Sequence, residues 1–202
     1  MSGEYFGILG RDRAIFEVIN KGMSNSFFDS LLPLFSNFHL WLIPAAIIWA
    51  FFFWRTNRYG RLVAIGCFVV VVATDQISDG LIKPAIQRTR PCNVIASARF
   101  YDDNGNWLTT DKFGLTTYKP SYSFPSNHAS NIAGQATYWS LFYPQLAPLA
   151  VTLAALVGLS RVYLGHHYPA DVAGGYLLGV ILALLIASLL KRWIIPDKYS
   201  DT

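Results

Sequence analysis

Three short blocks of this sequence hold residue types that can act together on a phosphate: residues 83–91 (KPAIQRTRP), 125–128 (PSNH) and 160–171 (SRVYLGHHYPAD). Lys83, Arg90 and Arg161 are cations able to neutralise an oxyanion, and the arginine fork can bind two oxygens at once. Asp171 lies four residues beyond His167. It can hold one ring nitrogen and leave the other free as a nucleophile, the orienting role a carboxylate plays in catalytic triads. His128 is a second imidazole for proton transfer. Ser126 is a good N-cap, and the free N–H groups behind it, Asn127's included, form an anion site with a favourable dipole. Such a set can bind a phosphate, attack it and protonate its leaving group.

Each block alone also has a plain reading. Lys83 and Arg90, seven residues apart, fall on one helical face, with the helix expected to end at Arg90 because Pro91 disfavours helical geometry there. Two cations at the end of an apolar segment could simply snorkel. Pro125-Ser126-Asn127-His128 could be a capping serine followed by a chance histidine. His167 could be an interfacial histidine capped by Asp171. His166 is a rival nucleophile, but it is five residues from Asp171 and off that helical face. Asp75, Asp79 and Lys83 recur every four residues and read as an ion-paired stripe, with Asp79 able to position Lys83. Gly175 and Gly179 fit close helix packing.

The elements carrying these blocks are membrane spans. The chain has 202 residues, of which 53% are hydrophobic and only 14% charged. Mean hydropathy is +0.34. Soluble domains carry about 25% charged residues. The net charge of +4 is not gathered into a run or stripe, so nucleic acid is not expected as a partner and the lipid bilayer is. Residues 1–24 read as an amphipathic interfacial helix. Apolar segments at 38–54, 62–86, 126–143, 148–163 and 170–190 follow, and 26–35, too short to span alone, is the candidate for a re-entrant or sixth crossing. The expected fold is therefore all-α: one integral-membrane helical bundle over 1–202, with about five to six transmembrane helices. Its longest polar loop covers 92–124, where Tyr101, Trp107, Phe113 and Tyr118 are candidates to cover a headgroup. Cys67 and Cys92 are not expected to pair. Arg55, Arg58, Arg61, Lys191 and Arg192 fall on one side, which the positive-inside rule makes cytoplasmic. The 92–124 loop and all three blocks then meet at the opposite, outer surface.

In order and spacing the blocks resemble the signature of the type 2 phosphatidic acid phosphatase superfamily: Lys-x6-Arg-Pro, Pro-Ser-Gly-His and Ser-Arg-x5-His-x3-Asp. The matches are Lys83, Arg90-Pro91, Pro125-Ser126, His128, Ser160-Arg161, His167 and Asp171, within about residues 60–190. Asn127 stands where the family usually has Gly, a side chain that could crowd the phosphate. The resemblance implies that His167 attacks phosphorus to form a phosphohistidine and that Asp171 orients it. It implies that His128 protonates the leaving oxygen and then activates water. Lys83, Arg90, Ser126, Asn127 and Arg161 would hold the phosphate, and no metal or cofactor would be needed.

The substrate expected on this resemblance is a phosphorylated membrane lipid, first undecaprenyl diphosphate. Phosphatidylglycerol phosphate, phosphatidic acid and lipid A 1-phosphate are alternatives. The expected location is a bacterial inner membrane, with the site facing the periplasm or exterior. A vanadate-binding haloperoxidase shares the phosphate pocket, but that class is soluble. A non-enzymatic lipid-binding protein would leave the spacing of Arg161, His167 and Asp171 to chance.

Overall fold

The first helix, α1 (Gly3–Glu17), passes directly into a π-helical turn at Val18–Gly22. Asp12, Phe16 and Asn20, four residues apart, are buried, while Ile15 and Val18 are exposed. The segment thus turns apolar side chains outward, as an interfacial helix does, and docks through a polar and aromatic stripe. Asn20 fastens its end: Nδ2 donates to the carbonyls of Arg99 and Tyr163 at 2.8 Å each, and Oδ1 accepts from Arg99 N at 2.9 Å. This is a computed structural model, and it describes residues 3–111 and 121–194.

The next three helices, α2 (Ser26–Ser36), α3 (Phe38–Arg55) and α4 (Arg58–Ile77), each start after an asparagine. Asn25, Asn37 and Asn57 accept from the backbone N–H of Phe28, Leu40 and Gly60, satisfying donors the helix cannot. A second π-helical turn, Ser78–Ile82, leads into the short helices α5 (Lys83–Ile86) and α6 (Pro91–Val94). Two antiparallel strands, β1 (Arg99–Tyr101) and β2 (Trp107–Thr109), pair with Phe100 opposite Leu108. The bundle closes with α7 (Asn127–Phe142), α8 (Ala147–Tyr163) and α9 (Pro169–Ile194).

Among the described residues, three stretches are long and apolar enough to cross a membrane: Arg58–Val94, Pro144–Tyr163 and Pro169–Arg192. A fourth arises if α2 and α3, bent by 46° at their junction, form one broken or re-entrant span. The five to six spans read from sequence treat 38–54 and 126–143 as separate crossings. In the fold, α7 has 16 residues and carries Ser130, Asn131 and Gln135, so it is a polar central helix rather than an apolar one. It packs most extensively on α9 and also on α4 and α8. Apolar side chains on the outer faces, such as Phe51, Phe68, Leu149 and Leu177, are exposed, as lipid contact requires.

The contact of α7 with α9 is backbone on backbone. A Cβ at Gly179 would lie 2.1 Å from the Ser130 carbonyl oxygen, and one at Gly175 2.6 Å from that of Ser126. Any side chain at either position would push apart the two helices that carry Ser126, His128 and Asp171. Tyr101 and Trp107 pack against Leu32, Tyr163 and Leu164 rather than standing clear as a headgroup cover. Phe113 and Tyr118 lie outside the described residues. Cys67 and Cys92 are both free thiols.

Candidate active site

His167 sits in the turn between α8 and α9, buried with Asp171, Arg90 and Arg161. Its backbone N–H and that of His166 both donate to the Arg161 carbonyl, at 3.3 and 3.2 Å. Gly165 makes this turn possible. Its φ is +79°, and a Cβ there would meet the Arg99 carbonyl oxygen at 2.3 Å. The imidazole is held at both nitrogens. Nδ1 is 2.8 Å from the Ser123 carbonyl oxygen, and Nε2 is 3.1 Å from Arg90 Nη1. A carbonyl only accepts, so the hydrogen-bond network assigns the proton to Nδ1 and leaves the lone pair on Nε2. Burial holds the imidazole well below its ordinary pKa, helped by Arg90, Arg161, His166 and His128. The ring is therefore neutral near pH 7, with its Nε2 lone pair facing the Arg90 guanidinium.

The expected direct bond from Asp171 to that ring is absent. Asp171 Oδ2 is 3.8 Å from Nδ1, beyond hydrogen-bond reach. Its oxygens are taken elsewhere: Oδ2 accepts from Tyr168 N at 2.8 Å and Oδ1 from Arg88 Nη1 at 2.6 Å. The ring is oriented by the Ser123 carbonyl, and Asp171 lends charge at one remove.

Lys83 and Arg90 do not share a helical face. The helix ends at Ile86, with Gln87 left-handed at φ 53°, and residues 87–90 run outside any helix. Arg90 is extended at φ −74° and ψ 151°, as a residue before proline must be. Its Nη1 donates to the His166 carbonyl at 3.0 Å and its Nε to the Ser121 carbonyl at 3.1 Å. Lys83 instead pairs with Asp79 at 2.6 Å. Asn127 joins this pair: Nδ2 donates to Asp79 Oδ2 at 2.7 Å, and Oδ1 accepts from Ser78 Oγ at 2.5 Å. The Asn127 side chain is thus anchored on the π-helical turn that carries Asp79. Asn131 extends the network, donating to Asp75 at 2.9 Å and accepting from Thr74.

Ser126 caps α7, and its backbone N–H donates to the Asp171 carbonyl at 3.0 Å, which ties the second block to the third. His128 follows on the first turn of α7, half-buried and close enough to influence His167. Arg161 is buried in the last turn of α8. The fold therefore draws Arg90, Ser126, His128, Arg161, His167 and Asp171 into one region, with Lys83 reached through Asp79 and Asn127.

Two members of this region did not stand out in the sequence. Arg88 bridges Asp171 and Asp12, the latter through Nη2 at 2.5 Å, and its guanidinium lies 4.0 Å over the Tyr168 ring. Ser123 supplies the carbonyl that holds His167. The only signal for Arg88 was a third basic residue inside the first block; nothing local marks Asp12 or Ser123.

Residues 64–195 match the PAP2 superfamily. The chain belongs to that superfamily. It is 30% identical over 158 residues to phosphatidylglycerophosphatase B of Bacillus subtilis, covering 72% of this chain and 66% of the relative, just under two thirds of its length. It is 28% identical over 181 residues to an undecaprenyl-diphosphatase of Sulfolobus acidocaldarius, covering 88% and 77%. Its fold resembles the crystal structure of a transmembrane PAP2-type phosphatidylglycerolphosphate phosphatase from Bacillus subtilis, with a TM-score of 0.68 at 25% identity over 95% of this chain and 90% of that one.

Proposed function

We propose that this PAP2-superfamily membrane protein hydrolyses a phosphate monoester or diphosphate on a membrane lipid through a phosphohistidine. The observation that carries the reading is the state of His167. A neutral imidazole protonated at Nδ1 presents its Nε2 lone pair beside Arg90, where an anionic phosphate would be drawn.

In the first step Nε2 attacks phosphorus in line, forming the P–N bond as the bond to the leaving oxygen breaks. His128 donates the proton that makes this oxygen a good leaving group. The departing group is a lipid alcohol from a monoester, or a lipid monophosphate from a diphosphate. Phosphorylation of Nε2 while Nδ1 keeps its proton makes the ring cationic. The Ser123 carbonyl at 2.8 Å and Asp171 at 3.8 Å both stabilise that charge. His128, now lacking its proton, takes one from a water that attacks phosphorus and frees His167 and inorganic phosphate. Arg90, Arg161, Lys83 and the N–H groups behind Ser126 hold the phosphate oxygens, where transition-state charge is spread. This route uses protein groups and water and should survive EDTA.

The first substrate in this reading is undecaprenyl diphosphate, consistent with the Sulfolobus relative. Phosphatidylglycerol phosphate is the second reading, favoured because both a relative and a structural neighbour carry that name. The site is read as facing the periplasm or exterior of a bacterial inner membrane. Detergent-purified protein should release phosphate from farnesyl diphosphate, a long polyprenyl diphosphate and phosphatidylglycerol phosphate far faster than from p-nitrophenyl phosphate. The His167→Ala variant should be folded and inactive. Equal turnover of the soluble aryl phosphate, or near-normal activity of His167→Ala, would overturn the reading.

A further inference from the structure

The mechanism above uses Asp171 but not the buried charged chain behind it. It begins on α1, at Asp12, and ends at Asp171 under the nucleophile. Asp12 is 6% exposed and Asp171 0%. Two buried carboxylates this close are unfavourable unless cations and N–H donors satisfy them. Arg88 meets both, with Nη1 on Asp171 Oδ1 at 2.6 Å and Nη2 on Asp12 Oδ2 at 2.5 Å. The remaining oxygens are satisfied by the first turn of α9: Ala170 N donates to Asp12 Oδ1 at 2.9 Å, and Tyr168 N to Asp171 Oδ2 at 2.8 Å. Asp12 therefore caps α9 from a different helix, and its position is locked by Phe16, buried one turn later against Tyr168 and Val172.

Resting on the proposed phosphohistidine chemistry, we propose that Asp12 and Arg88 are positioning residues for that reaction. Together they fix the Asp171 carboxylate 3.8 Å behind His167 and make α1 part of the catalytic apparatus, although α1 touches no reacting atom. Arg88 is unlike Arg90 in this respect. Each of its terminal nitrogens is bound to a carboxylate, and its flat face covers Tyr168 at 4.0 Å, so it is committed to holding protein rather than phosphate. Arginine is required because one planar fork must reach two carboxylates at once; a lysine offers a single point charge. The relay acts on the charge that develops on the imidazole during attack, so its loss should appear in kcat and leave phosphate affinity nearly unchanged.

The test uses the whole chain in detergent with a lipid diphosphate as substrate and inorganic phosphate, the product, as an inhibitor that probes phosphate binding. Asp12→Asn and Arg88→Lys should each lower kcat by about tenfold, and Arg88→Met by about a hundredfold, with KM and the inhibition constant of inorganic phosphate within about twofold of wild type. In the double variant Asp12→Asn with Arg88→Lys, the loss should be smaller than the product of the single losses, because both act through one carboxylate. Should Arg88→Met fail to fold, the two conservative variants carry the test. Folded variants with wild-type kcat would overturn the relay. So would an inhibition constant of inorganic phosphate that rises in step with the loss of kcat/KM, which would make Arg88 a phosphate ligand. A wild-type protein inert toward every phosphorylated lipid would instead overturn the phosphatase reading, and the relay with it.

Discussion

At the residue scale, the protonation state of His167 decides what the site can do. Burial lowers the pKa of the imidazole, and the neighbouring Arg90, Arg161, His166 and His128 lower it further. An unperturbed imidazole titrates near about 6.5, so between that value and the lower folded one the unfolded chain binds more protons than the native protein. The contribution of His167 to stability is therefore present above pH about 6.5 and falls as the pH drops below it. In nitrogen-resolved spectra of the ligand-free protein at pH 6.5, His167 should remain neutral with its proton on Nδ1. A cationic ring, or a proton on Nε2, would remove the Nε2 lone pair from which the nucleophile is argued. His166 has a different part: its carbonyl accepts from Arg90 Nη1 at 3.0 Å, which makes it part of the arginine's seat. His166→Ala should accordingly retain turnover where His167→Ala loses it.

At the scale of elements, the site depends on how closely α7 approaches α9. Gly179 leaves the Ser130 carbonyl where a Cβ would be, at 2.1 Å, and Gly134 faces the same crossing with Val70 at 2.9 Å from its own ideal Cβ. Gly179→Ala must therefore separate the helices, and overpacking of this kind costs about 1–3 kcal/mol. The separation also pulls Ser126 N away from the Asp171 carbonyl that it meets at 3.0 Å. Thermal unfolding in detergent should show the lower midpoint, and activity measured well below that midpoint should fall as well. Wild-type stability and rate would mean that the crossing tolerates a methyl group and does not set the site. The small-residue spacing at Gly175 and Gly179 was visible in sequence. Its consequence for catalysis was not, because the partner atoms belong to another helix.

At the scale of the whole molecule, exposed apolar side chains on α3, α4, α8 and α9 mark a membrane protein, and the polar groups of the site gather before α6, at the start of α7 and around the turn between α8 and α9. The proposed orientation rests on Arg55, Arg58, Arg61, Lys191 and Arg192 lying on the opposite side. Asn104, in the exposed tip between β1 and β2, reports on it. A cysteine at Asn104, in a background lacking Cys67 and Cys92, should react with a membrane-impermeant thiol reagent in intact cells or spheroplasts. Labelling only after the membrane is broken would invert the orientation.

The sequence by itself determined the helical membrane class and the superfamily, and it singled out the residues of the three blocks as candidates. Each of these rests on local information: spacings of a few residues, apolar runs and caps. It misplaced what depended on helical continuity between Lys83 and Arg90, because the left-handed Gln87 ends the helix four residues before the proline does. Only the tertiary structure decided that the Ser123 carbonyl, rather than Asp171, holds the His167 ring, and that the Asn127 side chain is bound to Ser78 and Asp79. It alone revealed that Arg88 joins Asp171 and Asp12 across separations of 83 and 76 residues. Buried charges must find partners wherever the packed helices bring them. No local pattern records which distant helix will supply them.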